Sequence, residues 1–239
     1  MNAPQTFLPK KGNYKTLTAY KKAECIYDVT FFFTQNFLGK GDRTIDQMVQ
    51  AARSGKQNIA EGAAAASTSA ETELKLTNVA KASLQELLVD FEDYLRVRGL
   101  EQWSLQDPRT SKLQEFCNTH AEPQAFMAAF YEAVDRGHNP NRANEANSAN
   151  SPKPAPLAEK VANLAITLIH QADVCLRGYI NRLEKDFTEQ GGIRERMTAA
   201  RLGYRQGQKE EITRLQAENE RLKQRIAWLE QQLEKNEKK

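Results

Sequence analysis

Apolar residues recur at three- and four-residue spacing along most of the chain, and that period predicts helices. The first runs from Tyr14 to Leu38, with Tyr20, Ile26, Tyr27, Thr30, Phe31, Phe33, Phe37 and Leu38 on its stripe. Gly39 and Gly41 end it, and Asp42 is placed to cap the next helix. Ile45, Met48, Val49, Ala52, Ile59, Ala60 and Ala63 predict a second helix reaching residue 66. Gly55 lies inside it at a cost of about 1 kcal/mol relative to Ala, and marks a place where a neighbouring helix can approach closely. Thr68 with Glu71 fits a capping box ahead of a third helix over 69–98. Its wide apolar face is Leu74, Leu76, Val79, Ala80, Leu84, Leu87, Leu88, Phe91, Tyr94 and Leu95, and Gly99 ends it.

The pattern then weakens. Residues 108–136 predict one or two short helices broken at Pro123. Residues 137–156 are rich in Asn, Ala, Ser and Pro and nearly free of large apolar groups, which predicts a disordered linker. A long helix follows over 157–190, with Leu157, Val161, Leu164, Leu168, Cys175, Tyr179, Leu183 and Phe187 on one stripe. Gly191-Gly192 breaks it. Alternating β-branched runs are absent, so no strand competes. The expected fold is all-α: an up-and-down four-helix bundle with an inserted helical and disordered segment and a C-terminal coiled coil. Its parts are a flexible arm (1–13), bundle helices one to three (14–100), a helical insertion (101–136), the linker (137–156), bundle helix four (157–190), a basic connector (191–209) and the coiled coil (210–239).

The last segment carries the sharpest local pattern. With Ile212 at heptad position a, Asn219, Ile226 and Leu233 are also a, and Leu215, Leu222 and Leu229 are d. Ile at a with Leu at d favours two parallel strands, and one Asn at a fixes their register at some cost in stability. Between two such helices Glu218 would face Lys223 and Arg225 would face Glu230, both attractive. These seven residues are the expected oligomerisation seam.

Composition changes the picture little. A hydrophobic content of 40% is slightly low for a compact globule, which suits a chain with some residues outside a core. The net charge of +3 does not by itself imply nucleic acid. One stretch is locally basic: Arg194, Arg196, Arg201, Arg205 and Lys209 stand against Glu195 alone. It reads as a solvated helix face or as a phosphate-contacting patch. A zipper-linked helix in the major groove is disfavoured, because Gly203 and Gly207 weaken helix there and the basic density is low. Three scattered cysteines (Cys25, Cys117 and Cys175) fit a reducing cytoplasm and small buried side chains. The first residues lack the apolar core of a secretory signal, and no run is long enough for a membrane span, so no membrane association is expected. The three histidines are isolated, and phosphate loops and nucleophile motifs are missing; neither an enzyme nor a metal or cofactor site is expected.

The stretch from Ile45 to Leu95 resembles the bacterial four-helix bundle family. That family includes proteins encoded in intervening sequences of 23S ribosomal RNA genes and the accessory variability determinant of diversity-generating retroelements. The matching pieces are Gln47 to Ala51, the run Asn58-Ile59-Ala60-Glu61-Gly62, and Ala80 to Leu87 with Ser83 and Glu86. It looks like the subgroup with a four-helix bundle suffix domain, with Tyr14 to Leu38 as first helix and Pro156 to Phe187 as fourth. The resemblance implies a ring-like homo-oligomer, described for the accessory determinant as a pentameric barrel with a basic surface. This chain departs from it in the long segment between the third and fourth helices and in the added zipper. Asn58 and Glu61, three apart on one helix face, are either a partner site or buried polar groups that fix register. Two functions are expected. One is an oligomeric accessory protein that binds RNA or DNA or positions a nucleic-acid enzyme. The other is a protein-only scaffold, whose bundle binds a protein partner that the coiled coil multimerises.

Overall fold

The computed structural model describes residues 13–137 and 156–237; the arm before Asn13, most of the expected linker and the side chain of Leu233 lie outside the described residues. Among the described residues every regular element is a helix, and there is no strand. The described residues divide into two compact units, one ending at Glu189 and one beginning at Gln190.

The first unit opens with a 3-10 turn, Tyr14–Thr16, whose start is capped by the Asn13 side chain accepting from Lys15 N–H. Leu17 is extended, so the first α-helix starts at Thr18 and not at Tyr14. The elements are α1 (Thr18–Phe37), α2 (Thr44–Ala65), α3 (Ala70–Val97), α4 (Pro108–Thr119), α5 (Pro123–Gly137) and α6 (Leu157–Gln190). The Asp42 carboxylate accepts from Thr44 N–H at 2.9 Å, which serves the start of α2 and holds its pKa below the usual range. Thr68 does not cap α3. Its hydroxyl donates back to the Ala65 carbonyl, and Ser69 accepts from Thr72 N–H instead. The reason is that Ser69 is the last extended residue, the geometry an N-cap needs.

Helices α1, α2, α3 and α6 share one apolar cluster, to which α4 and α5 add Cys117, Phe126 and Phe130. Phe33 of α1 meets Phe91 and Tyr94 of α3 edge-on at 4.9 and 4.6 Å. Each fully buried large side chain here contributes about 1.5–3 kcal/mol by burial. Ser54 opposite Ser83, Gly55 opposite Leu84 and Gly62 opposite Glu73 set α2 antiparallel to α3. Glu73 to Tyr179 and Lys81 to Asp173 set α3 antiparallel to α6.

Three residues expected on apolar stripes face outward. Phe31 is 51% exposed, because Val29 and Phe33 take the inward line and Phe31 stands about 200° from either. Val79 is exposed because Ala80 and Leu84 hold the inward line of α3. Phe187 is exposed because the buried line of α6 ends at Ile180.

The second unit is a single helix, α7 (Ile193–Glu237). Gly191, at φ +68°, marks the break from α6. Gly203 and Gly207 do not interrupt the helix: α7 runs through both. Two glycines cost about 2 kcal/mol together, which a long run of good helix formers around them offsets. No described helix is long and apolar enough to cross a membrane.

Candidate functional site

The residues singled out by sequence fall into two places. The first is the α2–α3 seam. Asn58 Nδ2 donates to the Ser54 carbonyl at 2.9 Å and to Ser54 Oγ at 3.1 Å. Ser54 Oγ in turn lies 2.9 Å from Ser83 Oγ on α3. Asn58 therefore holds a serine that reaches across the seam. Gly62 is buried, and a Cβ there would stand 3.3 Å from the Glu73 carbonyl. Glu61 does not join them. It is exposed, so Asn58 and Glu61 are not a buried polar pair. The seam is helix–helix packing, with Asn58 and Gly62 serving it.

The second place is α7. Arg194, Arg201, Arg205 and Lys209 are exposed, and Arg196 is half-buried. At about 100° per residue, Arg194, Arg201 and Arg205 fall within roughly 20° of Ile212. Lys209 lies about 60° to one side, and Arg196 about 160° away, on the far face. Arg196 thus belongs to the group by sequence proximity alone. No carboxylate occurs between Arg196 and Lys209, and the one just before, Glu195, accepts from Gly192 N–H at the helix start. Tyr204 is 69% exposed beside this row, its hydroxyl accepting from Gln208 Nε2. Gly203 and Gly207 lie on the far side of the helix, with open space around them.

Downstream, Ile212, Leu215, Leu222, Ile226 and Leu229 are 45–58% exposed, and Asn219 is exposed among them. Five large apolar residues in one line on a single helix leave substantial apolar surface in water. Arg225 lies over the Trp228 ring at 4.5 Å, and Lys223 approaches Glu220 along the same helix.

Sequence reasoning missed a polar clasp in the first unit. Buried Glu159 of α6 accepts from the Trp103 indole and from Glu101 N–H, at 3.1 and 3.2 Å. Asn163, one turn later, accepts from Trp103 N–H at 2.8 Å and donates to the Glu101 carbonyl at 2.9 Å. Arg109 stacks over Trp103 at 4.5 Å. This fastens the segment after α3 to α6. The visible signal was Glu159 and Asn163, four apart and so on one face of the helix, in and beside the largely apolar run Val161 to Ile169. A hollow of about 420 Å³ beside Trp103 is lined by Leu105, His170 and Val174 among others. Among the described residues, no group of His, Cys, Asp or Glu is arranged to hold a metal ion.

No family model, curated protein or solved structure matches this chain.

Proposed function

We propose that this chain is a non-enzymatic, oligomeric accessory protein that binds nucleic acid, or holds a nucleic-acid-processing partner in place. Helices α1, α2, α3 and α6 would form its up-and-down four-helix bundle, and α7 would pair in parallel with a second copy. The observation that carries the reading is the row Arg194, Arg201 and Arg205, flanked by Lys209 and exposed Tyr204, with no carboxylate between Arg196 and Lys209. Guanidinium groups suit phosphate, which they meet with two parallel hydrogen bonds. Resemblance to the bacterial four-helix bundle family, through the Asn58 to Gly62 run and the Ser83 region, supports the same reading.

Binding of the nuclease-treated protein to structured RNA and to duplex DNA across a salt series tests it. Phosphate contacts predict that affinity falls steeply and linearly on a log–log plot. Absence of binding at low salt would remove the reading.

A second reading is a protein-only scaffold. It is favoured by apolar surface on the first unit: exposed Phe31, and Tyr131 against the Phe32 and Phe130 rings. It predicts a protein partner recovered with no nucleic acid attached.

A further inference from the structure

The arginine row and the apolar row of α7 are one line. Counting back from Ile212 by heptads puts Arg205 at a and Arg201 and Arg194 at d, so they extend the zipper seam itself. We propose that two paired copies of α7 build a single binding cleft for the backbone of a nucleic acid, lined by these arginines from both chains, and that one copy alone lacks it. The proposal rests on the nucleic-acid reading above and specifies its site.

Two physical constraints lead there. Apolar a and d residues gain by closing against a second helix, and Asn219 favours an in-register parallel partner. Arginines at a and d lose by the same closure, because guanidiniums of like charge would be brought together and stripped of water. Pairing therefore proceeds from Ile212 toward the C-terminus and stops ahead of it. The two helices separate there, with the arginine rows facing each other across the gap.

A gap lined by cations from two sides calls for a polyanion between them. Arg201 and Arg205 are about 6 Å apart along the axis, and Arg194 and Arg201 about 10.5 Å, a run on which successive phosphates can be met. Tyr204, exposed next to Arg201 and Arg205, offers a ring for a base or sugar. An acidic polypeptide would be met as well by lysines and would have no use for the ring, so the nucleic acid is favoured.

The test uses the full chain, with a short duplex DNA of arbitrary sequence, a single-stranded RNA of equal length and polyglutamate as ligands, followed by fluorescence anisotropy over a salt series. R201Q/R205Q is expected to bind at least about tenfold more weakly and to lower the log–log salt slope by roughly 3–4, four cations being removed per pair. Its zipper should melt higher than that of the original chain, since like charges leave the seam. L222D/I226D should be monomeric in sedimentation and lose binding although every arginine remains. R214Q, on the far face and paired with Glu211, should bind unchanged. Because L222D/I226D also lowers the helix propensity of α7, stoichiometry of the original chain is read independently, and two chains per site are required. One chain per site, or binding retained by either double variant, overturns the shared cleft and leaves the nucleic-acid reading standing. Failure of the original chain to bind either nucleic acid overturns both. Preference for polyglutamate over both replaces the nucleic acid with an acidic polypeptide.

Discussion

Gly55 of α2 faces Leu84 of α3 so closely that a methyl group on Gly55 would lie 2.6 Å from Leu84 Cδ2 and 2.8 Å from Cγ. Real carbon atoms do not approach to that distance, so any larger residue must push Leu84, itself 2% exposed, out of its rotamer. Ala would gain about 1 kcal/mol of helix propensity and lose roughly 1–3 kcal/mol to overpacking. Gly55→Ala is therefore expected to be neutral to destabilising by about 2 kcal/mol in urea unfolding. Leu84→Ala should remove the conflict, so that Gly55→Ala becomes stabilising in its background. Equal effects of Gly55→Ala in both backgrounds would contradict the close packing.

The Trp103 clasp predicts a local cost. Asn163→Ala leaves the Trp103 N–H and the Glu101 carbonyl without their partner. The loss should be about 1–3 kcal/mol, with faster hydrogen exchange at Trp103 N–H and little change in the α2–α3 seam. Trp103→Phe takes the indole donor from buried Glu159 together with ring area under Arg109, and should cost a similar amount.

Glu73 predicts a pH dependence. It is 7% exposed, and burial raises its pKa, only partly offset by the hydrogen bond it accepts from Tyr179 and by nearby Arg182. The folded state thus holds the proton more tightly than the unfolded state. That contribution is complete below the ordinary carboxyl range and is lost as pH rises through the raised value. Glu73→Gln keeps an acceptor for Tyr179 and carries no charge. It should raise stability at neutral pH, by on the order of 1 kcal/mol, with the gain vanishing in acid. A gain of equal size at pH 3 and pH 7 would rule out the carboxylate as its source.

Thiol labelling should separate the cysteines. Burial pushes the Cys25 and Cys117 thiols up to about 12, so little thiolate exists at neutral pH. Cys175 is half-buried. A disulfide reagent should modify one thiol quickly in the folded protein and the other two only as it unfolds. Mass mapping that finds Cys25 or Cys117 modified first would contradict their burial.

Asn219 predicts specificity at the expense of stability. If α7 pairs through Ile212 to Leu229, Asn219→Leu should raise the melting temperature of the pair and admit other registers or orders, seen as a broadened mass distribution. An unchanged mass and melting curve would mean that Asn219 does not sit in the seam.

By itself the sequence determined where the helices lie, because a 3.6-residue period is a local property of the chain. The spans of α2, α3 and α6 and the break at Pro123 were all legible, as was the close approach at Gly55. The heptad line was legible too, and it proved unburied within the chain. Burial at single positions was not legible, since which of Phe31 and Phe33 turns inward depends on where a neighbouring helix lies. Nor was the cap at Ser69, which needs a backbone conformation and not only a residue type. The role of Glu159 and Asn163 is set only by the fold, which brings Glu101 and Trp103 against them across more than fifty residues. For α7, local propensity pointed to a weakened helix at Gly203 and Gly207. The continuous helix decided instead that Arg194, Arg201 and Arg205 share the line of Ile212, because angular position along a helix exists only once the helix is unbroken.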